Sequence, residues 1–421
     1  MTTTTVISLE VRLLHKCENA FGQKMQLSEC LSNLATLVSF EKQGIQQCAA
    51  NLSLPQYIHN SDYDSTCGQV ERQINQFAMP MLQLLCLSGN ILNLLIYRLP
   101  YFQGSTSVHF LKVKAYANLV FVESRVFEVI HAWTVYADAS FESFYWYTKP
   151  YVIAMASVSG TVSTWMTLVI TIETVLCVLL PFHFRQICTK RISLIVLLGF
   201  VLCSIFLHLP FLFIQTVISS PVLKELDSRQ HKRCYWITKQ YFMQTHKEPF
   251  YEYIQKAYYW LQITLSIVIP NIAMLACSIL IVAQFIFKNH GESFSQRRKC
   301  VIRMTVATTL SHLMLEGPAL LTFAAVARKG ANSSDHGNNI CILAHGNNLL
   351  SVINAATPFF VFLAFSEQFR RMSLVYIQVH LMPRTFMKKE SVPRHKKLQG
   401  VSSSVNLMKN TSPVSSNYTN L

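Results

Sequence analysis

Residues 165–185 read WMTLVITIETVLCVLLPFHFR. It holds a single carboxylate, Glu173, in an otherwise apolar run that ends just before Pro181 and a basic stretch. An acid without a partner is costly to bury, both in a protein core and in a bilayer, so the chain has a reason to keep it. That reason depends on the solvent that surrounds the run.

The composition indicates that this solvent is lipid. Of the 421 residues, 51% are apolar and only 14% are charged, whereas a soluble protein carries about a quarter charged residues. Apolar stretches close to the ~20 residues that a spanning helix needs recur along the chain. They predict seven crossings, the second interrupted by charges, at about 74–97, 108–132, 147–180, 193–218, 258–287, 301–326 and 342–365.

The distribution of basic residues predicts the orientation. Short basic flanks tend to stay in the cytoplasm, and three connections are basic: the ones after spans three, five and seven. Residues 1–73 instead hold seven acids against five Lys or Arg. The N-terminus is therefore predicted outside the cell and the C-terminus inside. The net charge of +15 then reflects topology and contact with an anionic leaflet rather than nucleic-acid binding.

The predicted fold class is an all-α membrane protein built as a seven-transmembrane helix bundle. The bundle occupies 74–366, after an extracellular N-terminal region at 1–73. An amphipathic interfacial helix follows at 367–382, because its apolar residues share one face and its arginines lie elsewhere. The rest of the chain, 383–421, is rich in Ser, Asn, Lys and Pro and is predicted to be a disordered cytoplasmic tail.

Cysteines and glycosylation sequons agree with this orientation. The sequons at Asn51 and Asn332 fall in segments predicted to be extracellular. Half of the twelve cysteines also fall there, where disulfides persist; they are Cys17, Cys30, Cys48, Cys67, Cys234 and Cys341.

Motifs on these spans occur in a characteristic order. They are LSGNILNLLI with Gly89-Asn90 in span one, LKVKAYANLVFV in span two, STWMTLVITIET in span three, Pro270 in span five, LMLEGPALL in span six, and PFFVFLAFSEQFRR after span seven. Together they resemble the rhodopsin-like, G-protein-coupled seven-helix receptors, and among these the invertebrate FMRFamide-type neuropeptide receptors. The resemblance covers about 74–380. It implies a plasma-membrane location, an extracellular peptide ligand, a heterotrimeric G protein, arrestin as a candidate further partner, and no cofactor or metal.

By this resemblance, Glu173 is the acid that the family places beside an Arg at the cytoplasmic end of span three. Here the next residue is Thr174, so the cationic partner is missing. Two interpretations stay open. Glu173 either reaches interfacial water or pairs with Arg185, or it forms an inactive-state latch with another base such as Arg303.

Other positions implied in activation also depart from the family pattern. Asn90 and Pro270 match it, but Asn118 replaces the acid that helps to hold a sodium ion. Glu316 stands two residues before Pro318, where many relatives carry an aromatic switch. The subfamily's Asn and Tyr at the end of span seven are replaced by Pro358 and Phe362, with Asn354 one turn earlier.

The family's outer disulfide is also altered. No cysteine lies between Cys86 and Cys177, so the usual bridge from the outer end of span three to Cys234 cannot form. Cys341 or an N-terminal cysteine is the candidate replacement partner.

The implied ligand sets the candidates for its pocket. FMRFamide-like peptides end in an arginine and an aromatic amide, which a carboxylate and aromatic surface complement. For Glu128 the alternative is a simple pair with Arg125 three residues earlier, and the aromatic residues are also typical of an interfacial belt. The candidates are Glu123, Glu128, Tyr235, Trp236, Tyr259 and Trp260.

Other functions compete with the peptide receptor. His312 and Glu316 share a helix face and form either a polar switch or a structural pair; without further ligands they are no metal site. The missing Arg at Thr174 favours a non-signalling or atypical seven-helix receptor, such as a decoy, scaffold or divergent chemoreceptor. A transporter predicts broken helices and similar halves, and the spans have no internal repeat. An enzyme is least supported, because no phosphate loop, nucleophile elbow or metal cluster can be assigned.

Overall fold

The computed structural model describes residues 47–48, 66–99, 106–134, 139–180, 184, 186, 188–226, 234–246, 248–288, 296–329 and 338–380. Within these residues, seven long helical rods overlap the seven apolar stretches in order, and a shorter helix follows them. We name the rods α1 to α7 and the shorter helix α8. The predicted tail at 383–421 and the sequons at Asn51 and Asn332 lie outside the described residues.

Four of the seven rods are interrupted, whereas the other three rods and α8 are continuous helices. Rod α1 (66–97) joins Thr66–Gln73 to Met79–Tyr97 through a π-helical turn at Ile74–Ala78. Rod α5 (249–288) has the same construction, with Pro249–Gln262, a π-helical turn at Ile263–Val268, and Ile269–Lys288. The others are α2 (Thr106–Glu123 and Val126–Trp133), α3 (Ala139–Leu179), α4 (Lys190–Ile214), α6 (Gln296–Glu316 and Ala319–Lys329), α7 (Asn338–Phe365) and α8 (Glu367–His380). The breaks in α2 and α6 therefore divide each of these rods into two helices.

Local sequence explains where several helices begin and break. Thr189 precedes α4, and its hydroxyl accepts a hydrogen bond of 3.4 Å from the amide of Ile192, which caps the helix. Rod α6 breaks at Gly317 because the following Pro318 has no amide hydrogen to continue the ladder. A Cβ atom on Gly317 would lie 2.7 Å from the carbonyl oxygen of Leu313, so only glycine fits there.

The chain also forms a three-stranded antiparallel sheet, and two of its strands lie between α4 and α5 in the sequence. Strands β2 (Gln215–Leu226) and β3 (Cys234–Thr245) form a hairpin, and the short strand β1 (Gln47–Cys48) pairs with the other edge of β3. The fourth span was predicted to run to residue 218, but α4 ends at 214. The β-branched residues of the sequence TVI at 216–218 favour a strand. The all-α prediction missed this sheet.

The rods pack around α3, which contacts α2, α4, α5 and α6. Rod α7 packs against α1 and α6, and its close approach to α1 depends on Gly89. A Cβ atom there would lie 3.0 Å from the ring of Phe359. Helix α8 returns to the bundle by burying Phe369 against a cluster that includes Ile96 and Tyr97. We call the end of the bundle that carries the sheet the hairpin end, and the opposite one the α8 end.

Five of the described helices, in α1, α3, α4, α5 and α7, are long and apolar enough to cross a membrane. Rods α2 and α6 are outside this set, and both carry several charged residues. The surface of α4 exposes large apolar side chains, with Ile195 70% and Phe206 69% exposed. Such a face suits contact with lipid better than contact with water. The molecule is a helical protein with several helices suited to a membrane, and the count of seven crossings stays a prediction.

Candidate functional site

A cavity of about 400 Å³ opens at the hairpin end, among α1, α2, α3, α5, α6 and α7. Charged groups of both signs line it together with neutral hydroxyl and amide groups. The ionisable residues are Glu71, Arg125, Glu128, Lys149, Tyr258, Tyr259, Glu316 and His345. A concave site of this size with several convergent polar groups has the character of a ligand-binding pocket.

Several of these charges have partners inside the wall. Arg125 lies 3.4 Å from a carboxylate oxygen of Glu128, the pair anticipated from their spacing, and it also donates to the amide oxygen of Asn348 at 3.1 Å. At the rim, His345 lies 3.5 Å from Glu71. The charges of the cavity wall are therefore nearly balanced, so its fixed hydrogen-bond donors and acceptors, rather than a net charge, distinguish it.

The floor of this cavity is a hydrogen-bonded group between α6 and α7. Asn354 donates to Glu316 at 3.1 Å, and its amide nitrogen also lies 2.9 Å from Nδ1 of His312. The hydroxyl of Ser351 donates to the other carboxylate oxygen of Glu316 at 3.2 Å. The sequence left a polar switch and a structural pair as alternatives for His312 and Glu316, and in the structure Asn354 joins the two residues.

Below this floor, a polar path continues along α3 towards the α8 end. The amide of Asn118 donates to the carbonyl of Ala355 at 3.0 Å, and its side-chain oxygen accepts from the hydroxyl of Ser163 at 2.6 Å. The carbonyl of Ser163 accepts from the Thr167 hydroxyl at 2.9 Å, and Thr167 in turn accepts a hydrogen bond from the ammonium of Lys114. Asn90 also donates to the carbonyl of Ala355, at 3.1 Å, which ties α1 to this path.

A larger cavity of about 950 Å³ lies at the α8 end, and it contains the far end of this path. Lys114, Lys299 and Arg303 line it. The one carboxylate among its described lining residues, Glu367, lies 2.6 Å from Arg371, which neutralises it. Pro358 is also part of its wall. This cavity therefore differs from the first in carrying cations without free acids.

Two pairs of threonines join α3 to α6 beside this cavity. The hydroxyls of Thr171 and Thr309 are 3.0 Å apart, and one turn further along those of Thr174 and Thr305 are 3.2 Å apart. We call these two contacts the threonine seam. Thr174 is the residue at which the sequence resemblance implies an Arg, and its partner on α6 in the structure is the neutral hydroxyl of Thr305.

Glu173 is only 5% exposed and accepts a hydrogen bond from the hydroxyl of Thr106, the first residue of α2. No hydrogen bond or ion pair joins Glu173 to Arg303 in the described part of the chain, so the latch interpretation is not realised in this conformation. Arg185 lies outside the described residues. Partial burial raises the pKa of the nearby Cys188 thiol, and the negative charge of Glu173 raises it further.

A second polar cluster ties α3, α4 and α5 together beneath the sheet. Nε2 of the buried His208 lies 2.8 Å from the Thr161 hydroxyl, and its Nδ1 lies 2.9 Å from the hydroxyl of Tyr258. Thr161 also donates to Ser266 at 3.2 Å. Because both ring nitrogens are used, this histidine is a structural link rather than a free acid or base.

The ligand-contact candidates occupy different places. Glu128 and Tyr259 line the hairpin-end cavity. Glu123 is exposed, Trp260 is 52% exposed, and neither is among the described lining residues. Tyr235 and Trp236 lie on β3 opposite Glu225 and Lys224 of β2.

The remaining predicted residues fall on the rods or the sheet. Pro270 is buried near the start of the last helix of α5. Cys341 lies in the first turn of α7. Cys234 lies directly opposite Cys48 in the pairing of β1 with β3, so the backbone favours Cys48 as its partner. The disulfide itself stays a prediction.

Two residues with buried polar contacts, Lys114 and Thr106, were not identified as candidates from the sequence. Lys114 was noted only as an interruption of the second apolar stretch, although it lies four residues before Asn118 and so on the same helix face. That spacing was the available signal. Thr106 gave no signal, because it precedes the predicted span at 108–132 and meets Glu173 only in the folded chain.

Comparison with known protein families finds no matching family model for this sequence, and comparison with curated proteins finds no match either.

Proposed function

We propose that this chain is a G-protein-coupled receptor of the plasma membrane for an amidated, FMRFamide-like neuropeptide. In this proposal the hairpin-end cavity faces the extracellular medium and binds the peptide. The α8-end cavity faces the cytoplasm and receives the G protein, with arrestin as a further candidate partner. The orientation follows from the acidic N-terminal region and the basic α8-end connections.

One observation carries the proposal: a hydrogen-bonded path links the two cavities. Asn118 lines the hairpin-end cavity, Lys114 lines the α8-end cavity, and Ser163 and Thr167 connect them. A receptor needs such a connection, because a ligand acts at a distance only by favouring one of two arrangements of the elements between the sites.

The mechanism follows from the chemistry of the floor. A guanidinium group of the peptide would compete with Asn354 and Ser351 for the Glu316 carboxylate, since a charged bidentate contact is stronger than two neutral donors. Releasing Asn354 loosens α7 from α6 at their shared contact. The α6 rod can then move at its Gly317-Pro318 break and open the threonine seam. The equilibrium shifts only as far as the peptide binds the open arrangement more tightly.

A screen of amidated peptides on cells that express the chain tests this proposal. Signalling is measured by second messengers and by arrestin recruitment, and surface display by antibody. We expect at least one peptide ending in Arg and an aromatic amide to give a saturable response. Glu316→Gln should reduce its potency by about tenfold or more, because a charged hydrogen bond is replaced by a neutral one.

Glu123→Gln is the matched control, because Glu123 is an exposed acid that does not line the cavity. It should leave the potency unchanged. Silence in both readouts from a chain that reaches the surface would contradict the proposal.

The buried Thr174 favours a second candidate function, a seven-helix receptor that binds its ligand without activating a G protein. Its hydroxyl is occupied by the carbonyl of Ile170 at 2.8 Å and by Thr305, so no cation of α3 points into the α8-end cavity at this position. Thr174→Arg separates the two candidates. It should create G-protein coupling if the natural chain is silent, and change little if the natural chain already couples.

A further inference from the structure

The described residues that line the α8-end cavity carry more positive than negative charge. Lys299 and Arg303 are four residues apart on α6, so they share one helix face, and both line the cavity. Lys114 lines it from α2. The carboxylate of Glu367 is already paired with Arg371 at 2.6 Å, and no other acid is among the described lining residues.

Lys114 is the decisive residue, because it is a buried ion whose single hydrogen-bond partner in the described residues is neutral, and the Glu316 carboxylate acts on it only through space. It is 4% exposed, and within the described residues its ammonium donates to one group, the hydroxyl of Thr167. That hydroxyl already uses its own proton for the carbonyl of Ser163. An ammonium has three donors, and a buried charge is unfavourable unless an opposite charge or further acceptors meet it.

The three cationic residues line the same cavity. Lys114 lies eight residues into α2, about 12 Å along the helix from its first residue, whereas Lys299 lies in the first turn of α6. The cavity of about 950 Å³ contains side chains from both positions in its wall. Arg303 lies seven residues into α6, so a group that enters the cavity meets Lys299 first and Arg303 and Lys114 further in.

We propose that the α8-end cavity is a binding site for an anion of the phosphate class, held by Lys114 on α2 and by Lys299 and Arg303 on α6. Phosphate oxygens accept several charged hydrogen bonds at once, and Arg and Lys are the residues that supply them. If this end faces the cytoplasm, the source is either free phosphate or the phosphorylated headgroup of an inner-leaflet lipid. The site is distinct from the peptide cavity and does not rest on G-protein coupling.

The bound anion would link α2 to α6. The threonine seam joins only α3 to α6, so an anion bridging Lys114 to Lys299 and Arg303 adds a second, charged connection to α6. The anion would favour the arrangement in which the threonine seam is closed, and movement of α6 away from α2 would release the anion.

The experiment uses the purified full-length chain in detergent. Its melting temperature is followed while inorganic phosphate is titrated at constant ionic strength, with chloride replaced by phosphate. The wild type should show a saturable rise, as expected for a ligand that binds the folded state. Lys114→Met should weaken the apparent phosphate affinity by about tenfold or more, because a charged donor is lost.

Lys256→Met is the matched control. It removes the same type of residue from the hairpin end, where Lys256 pairs with Glu252 at 2.7 Å, and it should retain the wild-type response. If Lys114→Met does not yield a monodisperse protein, the double variant Lys299→Met with Arg303→Met tests the site instead. Both of these side chains are at least partly exposed, so their replacement should not prevent folding. It should weaken phosphate binding by roughly three- to tenfold.

Nanodiscs distinguish the two sources of the anion. A higher melting temperature in phosphatidylcholine discs that contain phosphatidylinositol bisphosphate, lost in Lys114→Met, would identify the lipid headgroup. A response to inorganic phosphate alone would identify the free ion. No response of the wild type to either, or equal responses of Lys114→Met and Lys256→Met, would overturn the proposal. Either result leaves the outcome of the peptide screen unaffected.

Discussion

The two ends of the bundle differ in whether their charged side chains contact a residue of opposite charge. At the hairpin end, Arg125 pairs with Glu128 and His345 with Glu71, so the cavity wall contains its own counter-charges. At the α8 end, the one described hydrogen-bond partner of the Lys114 ammonium is a neutral hydroxyl, and a seam of neutral hydroxyls joins α3 to α6. The first arrangement suits recognition, because fixed pairs orient donors and acceptors. The second is easy to open, because neutral hydrogen bonds contribute little each.

The largest effect is expected from the sheet, which belongs to the hairpin end. Cys48 and Cys234 are directly opposite in the pairing of β1 with β3, and we predict that a disulfide joins them. Replacing Cys48 by Ser should then lower the free energy of unfolding by about 2–4 kcal/mol. Peptide mapping without reductant checks the bond, and thermal melting checks its effect.

Cys203→Ser is the control for this change, because Cys203 is a free, exposed cysteine on α4. Its melting temperature should match that of the wild type. A map that joins Cys234 to Cys341 instead would show that the strand pairing does not determine the bridge.

The contrast in charge predicts opposite responses to similar substitutions. Arg125→Met leaves Glu128 without its cation and Asn348 without its donor, so the protein should lose roughly 1–3 kcal/mol of stability. Lys114→Met leaves no acid without a partner within the described residues. In buffer without phosphate it should keep or slightly raise the melting temperature, because a buried charge is removed.

Thermal melting of both variants in the same detergent compares the ends directly. If Lys114→Met is as destabilising as Arg125→Met, Lys114 has a compensating partner and the contrast between the two ends fails.

The threonine seam should have a smaller effect, on signalling rather than on folding. Thr171→Val together with Thr305→Val removes both contacts between α3 and α6 while keeping side-chain size. Each interhelical hydrogen bond contributes about 0.6 kcal/mol in membrane proteins, so we expect basal G-protein signalling to rise several-fold, by roughly three- to tenfold.

Thr308→Val is the control on the same helix, since in the part of the chain that the structure describes its hydroxyl bonds only to the carbonyl of Met304 in α6, at 2.8 Å. It should leave basal signalling unchanged. A double seam variant with wild-type basal activity would mean that the seam does not limit opening.

The sequence predicts the helical framework well and the polar contacts poorly. Apolar runs overlap every rod, and in five rods the helix is long and apolar enough to cross a bilayer, which leaves a strong pattern in the sequence. The end of α4 was misplaced by four residues, since an apolar TVI segment suits a helix or a strand equally by hydropathy. The contacts of Glu173 with Thr106 and of Asn354 with His312 join distant residues, and no local pattern encodes such pairs.

The smallest effect concerns the thiol of Cys188 at the α8 end. Burial and the nearby Glu173 carboxylate both disfavour its thiolate and raise its pKa. Alkylation by a maleimide should therefore be slow near neutral pH and accelerate only above the usual range for a thiol. Glu173→Gln removes the charge, so its rate should rise at lower pH than in the wild type, as mass spectrometry of the labelled peptide would record. An unchanged pH profile in Glu173→Gln would show that the charge of Glu173 does not affect the pKa of the Cys188 thiol.

If the chain is a receptor, its hairpin end and its α8 end face opposite sides of one membrane. Epitopes fused to the N-terminus and to the C-terminus of the full chain test this in intact and permeabilised cells. We predict that antibody reaches the N-terminal epitope in intact cells and the C-terminal epitope only after permeabilisation. If the C-terminal epitope is reached in intact cells while the N-terminal one is protected, the hairpin-end cavity cannot bind an extracellular peptide, and the receptor proposal is contradicted.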